Sequence, residues 1–143
     1  MSAIFGLVGL RGRPVDRRNL ETISAALRRH GRDGAGVWVD RHIGLGQRLR
    51  WATPEDRVER QPLRSADGQR TLVHDGRLDN RAELAAALGI DLVSARAMPD
   101  SAFVLRAYEK WGEACVRRLV GAFAFALWDA GAQHVVIARS PLG

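Results

Sequence analysis

The chain has 143 residues, 46% apolar and 27% charged, with a formal net charge of +6 at pH 7; this suits one compact soluble domain with its own core. No apolar run approaches the roughly 18 residues of a membrane span, and no basic n-region leads into a long apolar stretch as in a secretory signal. The single cysteine, Cys115, excludes an intramolecular disulfide and a multi-thiolate metal site, so a cytoplasmic setting is expected.

The apolar run from Ala3 to Leu10, broken only by Gly6 and Gly9, predicts a buried strand. The stretch GRPVDRRNLETISAALRRHG predicts a helix. Asp16 is its expected N-cap, Val15 and Leu20 form a staple, Leu20, Ile23 and Leu27 point inward, and Gly31 closes it. The Gly-rich loop GRDGAG (31–36) lacks the Gly-Lys-Ser/Thr of a phosphate loop, and Asp33 is expected to shape it through side-chain to backbone bonds. Val37 to Asp40 and Ile43 to Trp51 predict two strands joined by a tight turn at Arg41 and His42. The polar stretch from Trp51 to Gly68, with Pro54 and Pro62, is long for a compact domain, and such loops often border functional sites.

Arg70 to His74 predicts a strand ending in an Asp75-Gly76 turn. Asn80 with Glu83 reads as a capping box opening a helix that Gly89 ends. Asp100 is expected to cap a further helix burying Phe103, Val104, Ala107, Tyr108 and Trp111, stopped by Gly112. A short helix follows around Ala114 to Leu119, with Cys115 as a core residue. GAFAFALWDAGAQHVVIARS predicts a hairpin. Phe123, Phe125 and Leu127 lie on one face of its first strand and Ala124, Ala126 and Trp128 on the other, so the strand is expected to be buried on both sides. Strands in runs, separated by runs of helix, point to an α+β fold with antiparallel sheets covered by helices. Of the 22 basic residues 21 are arginine, scattered among acids rather than clustered with aromatics. That pattern predicts a solvated surface and no nucleic-acid partner.

Several stretches carry a resemblance through their order and spacing. IFG follows residue 2, and RRHGRDGAG follows the first helix. QRL (47–49), QPL (61–63) and HDGRLDN (74–80) come next, then PDSAFVLRAYEKWG, LVGAFAFALWD and ARSPLG. Together, over residues 1–143, they resemble the N-terminal class II glutamine amidotransferase domain of asparagine synthetases. The implied fold is the four-layer αββα sandwich of N-terminal-nucleophile (Ntn) hydrolases, built on two antiparallel sheets. The resemblance also implies that the chain is a fragment, with an ATP-dependent synthetase domain following it.

In that family the opening is Met-Cys-Gly-Ile-Phe-Gly. The cysteine takes the acyl group of glutamine, releasing ammonia, and its own α-amine is the base. This chain has Ser2 and Ala3 instead. It also has Asp75-Gly76 where the family has Asn-Gly, and Arg28, Arg29, His30, Gly31, Arg32, Asp33 where the family has Arg-His-Arg-Gly-Pro-Asp. The resemblance places Arg48 on the glutamine α-carboxylate and Asp100 on its α-amine. A serine hydroxyl is far less acidic than a thiol at about 8.5. An ionised Asp75 accepts hydrogen bonds but donates none, leaving the N–H of Gly76 as the remaining oxyanion donor. The expectation is therefore a degenerate glutaminase site attached to an asparagine-synthetase-like amide ligase, as in the Cys-less lasso peptide cyclases and β-lactam synthetases. ATP and Mg are implied only for the following synthetase domain, and no cofactor or metal is expected in this one. The pocket partner would be glutamine or another amino acid.

Two other readings stay open. One is a working Ntn amidohydrolase with Ser2 as nucleophile; the other is a structural scaffold. For single residues the plain readings are a small residue after Met1 for Ser2, a strand-end charge for Arg48, a turn for Asp75-Gly76, a cap for Asp100, and structural roles for His30 and His74.

Overall fold

The computed structural model describes residues 2–141. The elements run β1 (Ala3–Val8), α1 (Arg17–Ala26), β2 (Gly34–Asp40), β3 (Ile43–Leu49), β4 (Leu63–Arg64), β5 (Arg70–Leu78), α2 (Arg81–Leu88), α3 (Leu92–Ala97), α4 (Asp100–Trp111), β6 (Gly121–Asp129) and β7 (His134–Arg139). Short 3-10 segments at Leu10–Gly12, Arg28–His30, Glu55–Val58 and Gly112–Arg118 join them. β1, β3 and β2 form one antiparallel sheet in that order; β4, β5, β6 and β7 form the other.

Layering follows from which faces are apolar. Asp16 caps α1 by accepting from the Arg18 N–H at 2.9 Å. Leu20 of this helix is fully buried and lies with Val15 over Gly44 of β3. A side chain at residue 44 would collide with Leu20, which is why the helix can approach this closely. On the other side of the first sheet, Ile43 and Leu45 meet Val73 of β5 and Trp128 of β6, so the two sheets pack face to face. The far face of the second sheet presents Leu72, Phe125 and Leu127 to Phe103, Val104 and Ala107 of α4. The order is therefore helix, sheet, sheet, helix, the four-layer αββα arrangement expected. Both faces of β6 are covered, as its two apolar sets require. Full burial of one aromatic or aliphatic side chain contributes about 1.5–3 kcal/mol, so the α4 layer is the main store of stability.

Several local expectations are corrected. Asp75 and Gly76 do not turn: β5 continues through them to Leu78, pairing Asp75 with Ala124 and Gly76 with Phe123. Gly76 has φ 122°, and a side chain there would meet the Ala122 carbonyl at 2.1 Å, so only glycine fits against β6. Asn80 stands at the start of α2 but makes no capping bond. Its amide instead donates to the Arg118 carbonyl and accepts from the Val120 N–H, tying α2 to the segment before β6. Pro99, not Asp100, is the N-cap of α4. The helix α3, capped by Asp91, lies where no element was expected. β2 begins inside the Gly-rich loop at Gly34, and β3 ends at Leu49. Cys115 is core, as expected; it is fully buried, and burial pushes its thiol up to about 11. Asp33 holds its loop by accepting from the Trp51 N–H at 2.8 Å.

Candidate active site

A cavity of about 580 Å³ opens where the start of β1, the end of β3 and the middle of β5 converge. Ser2 reaches it because Ala3 pairs with Arg48, which brings residue 2 beside the chain leaving β3. The Arg50 N–H donates to Ser2 Oγ at 3.0 Å. On β5, Asp75 faces Ser2, and its Oδ1 accepts from the Ser2 nitrogen at 3.2 Å. Burial raises the Asp75 carboxyl above the usual carboxylate range, and the Ser2 N–H offsets part of that rise.

The strand carrying Asp75 is fixed across the seam between the sheets. Gln47 of β3 donates to the His74 carbonyl at 2.8 Å, and the His74 N–H donates to Gln61 Oε1 at 2.6 Å. The His74 ring is buried, with no partner for Nε2 among the described residues, and burial lowers its pKa to about 4. It is a neutral structural ring at ordinary pH. His30 stays at the surface in a 3-10 turn.

The structure brings Ser2, Asp75, Gly76 and Asp100 to one cavity. Both Asp100 oxygens are engaged: Oδ2 accepts from the Leu78 N–H at 2.8 Å and Oδ1 pairs with Arg81. Arg81 in turn donates to the carbonyls of Ala95 and Met98. Arg48 is not with them. Its Nε donates to the Ser24 carbonyl of α1 at 2.8 Å, and it is not among the cavity residues. Strand alternation explains this, because Gln47 and Leu49 face the seam and Arg48 therefore faces the helix. The arginines that do line the cavity are Arg50, Arg77 and Arg139.

The long loop also supplies residues that no sequence motif marked. Glu59 is buried at the cavity wall, accepts from Ser101 Oγ at 2.5 Å, and is raised in pKa by burial. Asp56, in the 3-10 turn, accepts from the N–H groups of Ala52 and Thr53. The length of that loop signalled a site border, and Gln61 sits within the QPL motif; nothing local marked Glu59.

A four-layer fold with residue 2 in a cavity between its sheets defines a class, and the comparisons name it. The chain belongs to the glutamine amidotransferase domain family, whose model matches residues 1–143. It is 29% identical over 146 residues to asparagine synthetase [glutamine-hydrolyzing] 3 of Bacillus subtilis, covering 100% of this chain and 24% of that protein. It is 28% identical over 145 residues to asparagine synthetase B of Escherichia coli, covering 100% of this chain and 26% of that one. A putative asparagine synthetase of Mycobacterium bovis is 35% identical over 98 residues, covering 68% of this chain and 14% of that protein. The chain thus spans about a quarter of the length of the first two relatives. Among solved structures, glutamine phosphoribosylpyrophosphate amidotransferase from B. subtilis, complexed with ADP and GMP, superposes with a TM-score of 0.72 at 18% identity, covering 99% of this chain and 37% of that one. That likeness concerns the fold. The chain is an asparagine-synthetase-like glutamine amidotransferase domain. Among the described residues no helix is long and apolar enough to cross a membrane.

Proposed function

We propose that this domain belongs to an asparagine-synthetase-like, ATP-dependent amide ligase of the cytoplasm, and that its own glutaminase site is silent. The observation that carries the reading is the Asp75 carboxylate standing 3.2 Å from the Ser2 nitrogen in the cavity. Hydrolysis of glutamine would need a nucleophile at residue 2, a free amine to take its proton, and N–H donors for the developing oxyanion. Serine is the weaker nucleophile. Asp75 offers acceptors where donors are needed and repels the negative charge it faces. Loss of one oxyanion donor alone lowers rates on the order of 10²–10³.

The cavity still combines arginines with carboxylates and suits glutamine or another amino acid as a bound, uncleaved ligand. In this reading ATP and Mg act in a synthetase domain, and the amine that attacks the activated carboxylate comes from that domain's substrate. The test is to measure ammonia release and equilibrium binding with glutamine on the purified chain. The reading expects no ammonia above a boiled control. Ammonia release that disappears in Ser2→Ala would overturn it. That outcome would favour the second reading, a serine amidohydrolase, which the placement of Ser2 in the cavity supports.

A further inference from the structure

Resting on the reading of a silent site, we propose that Asp75 disables the general base as well as the oxyanion corner. Once Met1 has been removed, its carboxylate holds the α-amine of Ser2 as an ammonium ion. The nitrogen 3.2 Å from Asp75 Oδ1 is the atom that becomes the α-amine when the Met1–Ser2 bond is hydrolysed by an aminopeptidase. An ammonium nitrogen has no lone pair to accept the hydroxyl proton of residue 2, so the nucleophile is never generated. One substitution, Asn to Asp in the family's pattern, thus removes two functions.

Both partners are held in place. Ser2 is fixed by the bond from the Arg50 N–H to its Oγ and by the pairing of Ala3 with Arg48. Asp75 is fixed by its pairing with Ala124, and Gly76 next to it allows β5 and β6 to approach closely. An opposite charge at this distance favours the charged form of an amine, typically by one to three pH units. From an ordinary α-amine value of about 7.7–8.0, each unit lowers the free amine at neutral pH about tenfold. The cavity lining holds charges of both signs. Asp56 and Glu59 carry the same sign as Asp75 and favour the ammonium. Of the cations, Arg77 is paired with Asp79 at 2.7 Å. Arg50 and Arg139 line the cavity and act in the opposite sense. Among the described residues no guanidinium lies within ion-pair distance of Asp75, so its charge is available to the amine.

The sequence makes the test clean. Lys110 is the only lysine, so the processed chain has two amines, the α-amine and Lys110 Nζ. Lys110 donates to the Ala87 carbonyl at an exposed position outside the cavity lining, and serves as the internal reference. After mass spectrometry of the intact chain, trace labelling with acetic anhydride is followed across pH at both amines by peptide mass spectrometry. The expected α-amine midpoint lies about one unit or more above the ordinary range in the folded chain and returns to that range in urea. In Asp75→Asn it falls by about one unit or more, and labelling at pH 7 relative to Lys110 rises about tenfold. Ser2→Ala keeps the raised midpoint, because the pairing uses the nitrogen and not Oγ. A retained Met1, a folded midpoint within the ordinary range, or equal midpoints in wild type and Asp75→Asn would overturn the inference. A midpoint in the ordinary range together with no ammonia release would refute this inference alone; ammonia release by wild type would refute the reading beneath it.

Discussion

Beneath α4, the groups that fill the layer are Phe103, Phe125 and Leu127, all fully buried. In the seam near Ser2, the buried groups include Gln47, His74 and Glu59, held by bonds to backbone or to one hydroxyl. The first region is stabilised by area removed from water, which has no direction and depends only on filling space. The second is held by a few directional bonds between residues far apart in sequence, each costly if one partner is lost. The difference shows how the domain can keep its fold while the chemistry of its site changes. Substitutions at residues 2 and 75 leave the apolar layers untouched and alter only which groups face the cavity.

Breaking the apolar side should give the largest effect. Phe103→Ala is expected to cost about 3–5 kcal/mol in urea unfolding, because a fully buried ring is removed from a layer that cannot collapse around the gap. On the polar side, the ring of His74 gives a pH test. Its folded pKa is about 4 against 6.5 ordinarily. Between those values the unfolded chain binds the proton and the folded chain does not. The His74 contribution is therefore complete above pH 6.5 and is lost as pH falls toward 4, by about 3 kcal/mol in all. His74→Leu should show a flatter stability profile over that window while keeping the Gln47 bond, which goes to the backbone carbonyl. Gln47→Leu removes the donor to that buried carbonyl and is expected to cost about 1–3 kcal/mol in the same unfolding assay. If it cost as much as Phe103→Ala, the distinction between the two regions would fail. At the low end, Arg17→Ala breaks the exposed Arg17–Glu21 pair and should shift stability by less than about 0.5 kcal/mol.

What the sequence revealed follows the same division. Asp16, Leu20 and the alternation along β6 are local signals of an apolar layer, and the structure matches them. Asp-Gly at 75–76 is a strong local turn signal, but nine consecutive pairings with β6 override it. α3 escaped notice because it is six residues long and turns Leu92 and Val93 outward, 66% and 80% exposed, which blurs any apolar stripe. Ser2, Asp75, Gly76 and Asp100 were assembled through motif order, since no local pattern links Ser2 to residues 73 or more positions away. Arg48 shows the limit of that route. Strand alternation in β3 assigns it to the helix side, and that physical signal is independent of any motif.

The most direct measurement is ammonia release from glutamine by wild type beside the Ser2→Cys, Asp75→Asn double variant, both freed of Met1. The account predicts a silent wild type and a variant with measurable glutaminase activity, because the variant regains a thiol, an unpaired amine and an oxyanion donor together. Ser2-dependent ammonia release by wild type would contradict it.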